Sequence, residues 1–155
     1  MARIVVALAA VIVLTGCRIE NRAPAGSLRD DQAIRGMVSA FYRSAAAADW
    51  PAVRALFWDS ASVQRGAHEG GEWAAFESPD DFRLWLEAGR MPALEPVRVE
   101  PRQDGDLAGV WVTTRRAGTE RGTASVDHFL LRRMGGGWRI TDYVSAELPA
   151  PGSAR

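Results

Sequence analysis

The amino-acid sequence predicts an α+β fold in which three N-terminal helices pack on one face of a curved antiparallel β-sheet. Apolar residues recur at helical spacing through the first half of the chain. After Leu94 the pattern changes to strand-like alternation. Glycine-containing turns then divide that second half into hairpins, Asp104-Gly105 being the strongest.

In chain order, Met1-Ala2-Arg3 and the run Ile4 to Leu14 form a charged start followed by a short apolar stretch, the layout of an export signal. The run is too short to span a bilayer, which takes about 20 apolar residues. Leu14-Thr15-Gly16-Cys17 follows and holds the only cysteine. It resembles the lipobox of bacterial lipoproteins, and the resemblance implies cleavage after residue 16 and lipid on Cys17. Expected boundaries are therefore a signal at 1–16, a lipidated cysteine with a Pro/Gly-containing tether at 17–26, a domain at 27–147 and a disordered tail at 148–155.

Ser27 opens the first helix, with Asp30 three positions on as an approximate capping box. Ile34, Met37, Val38, Phe41, Tyr42 and Ala45 make its apolar face. Asp49 breaks that helix and caps a short second one, in which Pro51 is tolerated in the first turn. Val53, Leu56 and Phe57 are its expected buried side. Ala61 to Arg65 alternates weakly and predicts a first strand. Residues 66–77 are Gly-rich and read as a loop. Ser78-Pro79-Asp80-Asp81 starts the third helix, with Phe82, Trp85 and Leu86 on one side and Gly89 at its end. The expected strands thereafter run through Val97 and Val99, through 106–116, 123–133 and 138–147.

Composition bounds the function. The chain carries 19 basic and 19 acidic residues, and every basic one is arginine. Without a basic excess there is nothing to neutralise a phosphate backbone, so no nucleic-acid partner is expected. A single cysteine excludes an internal disulfide. Two histidines, His68 and His128, are too few for a His-rich metal site, and His68-Glu69-Gly70-Gly71-Glu72 reads as a solvated loop. No metal and no cofactor are expected.

Two stretches carry a second resemblance. Phe41-Tyr42-Arg43-Ser44-Ala45-Ala46-Ala47-Ala48-Asp49-Trp50-Pro51-Ala52-Val53-Arg54-Ala55-Leu56-Phe57 is similar to the helix, break, short helix and first strand of the nuclear transport factor 2-like superfamily. Asp127-His128-Phe129-Leu130-Leu131-Arg132-Arg133 through Gly137-Trp138-Arg139-Ile140 resembles that superfamily's closing hairpin. Ketosteroid isomerases, scytalone dehydratase and SnoaL-type cyclases share the fold, which does not by itself specify a function. Isomerase chemistry in that superfamily uses a carboxylate base with an oxyanion hole of a Tyr and a protonated Asp. By the resemblance the base position falls on Arg65, which cannot accept a proton. The Tyr position falls on Phe41, with Tyr42 turned about 100° away on the helix. Only Asp127 matches its role.

Pairing Arg133 with Trp138 sets Leu131 opposite Ile140 and Phe129 opposite Asp142. Ser125, Asp127, Phe129 and Leu131 then share the inner face with Asp142, the two carboxylates lying about 7–8 Å apart. His128 points the other way. The expected ligand-lining set is Tyr42, Arg65, Trp85, Asp127, Phe129 and Asp142. The leading expectation is a lipid-anchored envelope domain that binds a small hydrophobic molecule or a protein partner without catalysis. The alternatives are an isomerase or hydrolyase using Asp127 and Asp142, and a structural homodimer. Two-sided strands, with Val110 beside Trp111 and Leu130 beside Leu131, favour a sheet covered on both faces and hence a homodimer.

Overall fold

The computed structural model describes residues 28–67, 73–88, 92–119 and 124–148. Cys17, the tether, the cap at Ser27, the His68–Glu72 loop and residues 149–155 lie outside them. Among the described residues the order is α1 (Leu28–Ala46), α2 (Trp50–Ala55), β1 (Phe57–Ala67), β2 (Trp73–Phe76), α3 (Pro79–Glu87), β3 (Leu94–Asp104), β4 (Leu107–Arg116), β5 (Ser125–Met134) and β6 (Gly137–Glu147). The expected α+β architecture is present, with helices against one face of a single six-stranded sheet ordered β2-β1-β6-β5-β4-β3.

Local chemistry fixes the helix ends. Asp49 accepts a hydrogen bond from the Ala52 N–H at 3.2 Å, and Ser78 Oγ accepts one from the Asp81 N–H at 3.2 Å. Each supplies an acceptor for an N–H that has no partner within its helix. Between α1 and α2, Ala48 sits at φ 54°, in the left-handed region usually given to glycine. The cost is about 1–2 kcal/mol.

The sheet departs from expectation in three places. The first strand runs from residue 57 to 67, so Phe57 belongs to it and not to α2. Part of the Gly-rich stretch, 73–76, is a strand antiparallel to β1. The chain must then double back through α3 to reach β3, and β1 lies parallel to β6. The sheet is therefore mostly, not wholly, antiparallel. The hairpin at Gly105-Asp106 is tight, with Asp104 paired to Leu107 and Gly105 at φ 56°. At the far end of β6, the Leu148 N–H still bonds the Ala124 carbonyl at 2.9 Å, so ordered pairing runs one residue past 147.

The core lies between α1, α3 and the concave face of the sheet. Ile34, Val38, Phe41 and Tyr42 bury the face of α1 that periodicity assigned to it. Phe57, Phe82, Phe129 and Tyr143 cluster with Phe41, neighbouring ring centroids lying 4.8–6.5 Å apart in mostly edge-to-face or tilted contact. Burying each such ring stabilises the fold by about 1.5–3 kcal/mol. On the other face of the sheet Leu107, Trp111 and Val126 remain exposed, and Val97 does so at the β3 edge.

Candidate functional site

The site is built around one carboxyl group. Asp127, at the start of β5, is fully buried on the concave face. Ser125 and Ser145 each donate a hydroxyl to Asp127 Oδ1, at 2.9 and 2.8 Å. Tyr42 and Tyr143 donate to Oδ2, at 2.5 and 3.3 Å. A carboxylate offers about four lone-pair directions, and here four hydroxyl groups of the chain take them.

The network extends outward on both sides. Thr114 Oγ1 lies 2.7 Å from Ser125 Oγ, and the Ser125 proton is already committed to Asp127, so Thr114 donates. On the opposite side Arg65 Nη1 donates to Ser145 Oγ at 3.2 Å. Arg65 Nε and Nη2 both reach one oxygen of Glu147, and the guanidinium lies over the Trp85 ring with its Cζ 5.3 Å from the centroid. Arg65 is buried at 5 % exposure, whereas the Glu147 side chain is 44 % exposed. The ion pair thus closes the network at a solvent edge.

Electrostatics follow from burial. Burial pushes the Asp127 carboxyl above its ordinary pKa, opposed by the hydrogen bonds from Tyr42, Ser145 and Ser125 and by the Arg65 charge. Burial, and then the Asp127 charge, hold the Tyr42 hydroxyl far above the usual tyrosine range. Tyr143 is raised in the same way. Both phenols therefore remain donors at any physiological pH.

The predicted residues Tyr42, Arg65, Trp85, Asp127 and Phe129 are brought together. Tyr42, placed off-axis by the helical wheel, nevertheless makes the phenol–carboxyl contact. The buried face of α1 straddles residues 41 and 42: Phe41 fills the aromatic core, and the longer Tyr42 reaches past Phe129, 6.1 Å between rings, to the carboxyl. Asp142 is not part of the site. A β-bulge between Leu130 and Leu131 sets Leu130 opposite Asp142 and Phe129 opposite Tyr143. From there on β6 presents odd-numbered residues inward, so Tyr143 and Ser145 are buried and Asp142 turns to the convex face. There it acts on His128, raising a pKa that burial lowers more strongly. The His128 ring lies tilted against Trp111 with centroids 4.3 Å apart, facing away from Asp127 as alternation predicts.

The residues missed from sequence were Thr114, Tyr143, Ser145 and Glu147. The last three follow from the bulge, which shifts their parity. For Thr114 the signal was present, because it pairs with Ser125 across β4 and β5. Among the described residues no group of His, Cys, Asp and Glu could hold a metal ion, and no helix is long and apolar enough to cross a membrane.

No family model and no curated protein match this sequence. Solved structures do. A protein of unknown function with a cystatin-like fold from Nostoc punctiforme is 15% identical, with a TM-score of 0.64 over 80% of this chain and 95% of its own. A nuclear transport factor 2-like protein of unknown function from Methylobacillus flagellatus is 19% identical, with a TM-score of 0.64 over 78% of this chain and 94% of that one. Another from Silicibacter pomeroyi is 24% identical, with a TM-score of 0.57 over 76% and 94%. The fold is thus that of the nuclear transport factor 2-like, or cystatin-like, proteins, and at these identities the likeness extends to the fold alone.

Proposed function

We propose that this chain is a lipid-anchored envelope protein whose domain binds a small hydrophobic molecule and does not turn it over. The saturation of Asp127 carries this reading. Four hydroxyl groups of the chain already fill its acceptor directions, so nothing is left to take a substrate proton. The position of the isomerase base is held by Arg65, committed to Glu147 and Ser145. What remains at the solvent edge is the Arg65–Glu147 ion pair beside the Trp85 indole, next to the Phe76 and Phe82 rings. A few polar groups converging beside an apolar wall are the ordinary composition of a small-ligand site. The N-terminal pattern ending in Cys17 supports export and anchoring.

Native mass spectrometry of the chain purified from the membranes of its own host tests this. The expected result is one co-purifying hydrophobic molecule per domain, lost in Arg65→Met. A ligand-free spectrum that no apolar additive changes would overturn the binding reading. Isomerisation of a β,γ-unsaturated ketone that disappears in Asp127→Ala would overturn the non-catalytic part.

A further inference from the structure

The convex face of the sheet carries a titratable group that the Asp127 network does not use. His128 on β5 stands opposite Trp111 of β4 and Val144 of β6. Its ring meets the Trp111 indole at an interplanar angle of 44°. Nε2 of that ring is sealed from solvent and has no hydrogen-bond partner among the described residues.

Gly109 shows what seals it. A Cβ built at 109 would lie 3.4 Å from His128 Nε2, and 3.2 and 3.5 Å from Cζ3 and Cη2 of Trp111. The imidazole nitrogen and the six-membered ring of the indole therefore converge over one backbone position. Glycine is what leaves room there for both.

This arrangement suits one protonation state. A neutral imidazole has one nitrogen without hydrogen, and that nitrogen tolerates contact with carbon. The imidazolium carries an N–H on both nitrogens, so Nε2 would become a charged donor with no acceptor. Among the charges on this face, Asp142 on β6 favours the proton. Arg102 on β3 lies over the Trp111 ring, its Cζ 5.6 Å from the centroid, and opposes it. Glu100, opposite Trp111, is engaged by Arg98 at 2.7 Å. Arg132 of β5 and Arg139 of β6 stand opposite each other farther along. Burial outweighs Asp142, and the His128 pKa is lowered. Ladders on both sides hold the β5 backbone, so relief on protonation has to come from the side chains. Trp111, exposed at the surface, is the one that can swing away.

We propose that His128 and Trp111 form an acid-operated latch on the convex face. The rings pack while His128 is neutral and part when it takes up a proton. Opening frees the indole and places a positive charge on the face where Leu107 and Val126 are exposed. The latch is separate from the Asp127 network and does not depend on what binds at the Arg65 edge.

Proton NMR of the full chain in a non-ionic detergent, titrated from pH 8 to 4, tests this. With only two histidines in the chain, loss of one imidazole signal in His128→Gln assigns the other to His68. At pH 8 a nuclear Overhauser contact should join the ring protons of His128 and Trp111, and it should vanish as His128 titrates. The His128 midpoint should lie below the ordinary value of about 6.5. Trp111→Ala uncovers Nε2 and should raise that midpoint toward the ordinary value. Gly109→Ala, whose methyl group must displace the two rings, should act in the same direction by less. Three results would overturn the proposal. The first is a ring contact that persists in the protonated form, which would mean an imidazolium held on the indole face. The others are a wild-type midpoint at or above the ordinary value, and a midpoint that Trp111→Ala leaves in place.

Discussion

Four buried hydroxyl groups converge on the Asp127 carboxyl. Replacing Asp127 with alanine strands these four groups and removes the carboxyl that Arg65 reaches through Ser145. Breaking a buried, hydrogen-bonded charge in this way costs about 3–5 kcal/mol. Its dependence on pH has a definite sign. The folded carboxyl has a raised pKa, so the native state holds its proton to higher pH than the unfolded chain does. Stability contributed by this group is then fully present below the unfolded value near 3.9 and falls as pH rises through the folded value. Asp127→Asn cannot titrate. The difference in unfolding free energy between wild type and Asp127→Asn, measured by urea titration in steps from pH 4 to 8, should shrink as pH rises. A difference that grows with pH would show that the four donors and Arg65 outweigh burial.

At the scale of the element, one bulge decides which residues belong to the site. Trp138, Ile140, Asp142 and Val144 form an unbroken even-numbered series, and alternation gives no reason to interrupt it. The extra residue near Thr141 ends that series, and Tyr143 and Ser145 take over the inner face. Periodicity located the three helices, the hairpin at 104–107 and the inward face of β5, because each depends on neighbours close in sequence. The bulge and the parallel β1–β6 pairing depend on contacts between distant segments, and no local pattern encodes them. Hence Tyr42, Arg65, Asp127 and Phe129 were legible, and Tyr143, Ser145 and Glu147 were not. The register makes a sharp contrast between two adjacent residues. Tyr143→Ala should destabilise the domain by about 3–5 kcal/mol, as for other buried aromatic truncations. Asp142→Ala should change stability by no more than about 0.5 kcal/mol, as for surface positions. Thermal unfolding of the two variants checks this, and the reverse ranking would restore the uninterrupted ladder.

For the whole molecule, the two faces of the sheet have different fates. The concave face is sealed by helices, while the convex face leaves Leu107, Trp111 and Val126 at 51%, 42% and 37% exposure, with the His128 ring tilted against Trp111. Exposed apolar side chains on one face of a sheet favour association, and a self-complementary face of this kind suits a twofold dimer. We infer that this face pairs two copies, while lipid on Cys17 holds the pair at a membrane. On this reading the two attachments are independent, because lipid would be carried by Cys17 and the dimer would form through the sheet. Cys17→Ser should therefore move the protein from the membrane to the soluble fraction without altering its mass in light scattering, which should remain that of two chains. Trp111→Glu in the same background should halve that mass and leave the circular dichroism spectrum unchanged, since the introduced charge faces solvent once the partner is gone. A released Cys17→Ser protein that is already a monomer would end the dimer reading but not the anchor. A Cys17→Ser protein still in the membrane fraction would end the reading that lipid on Cys17 is the anchor.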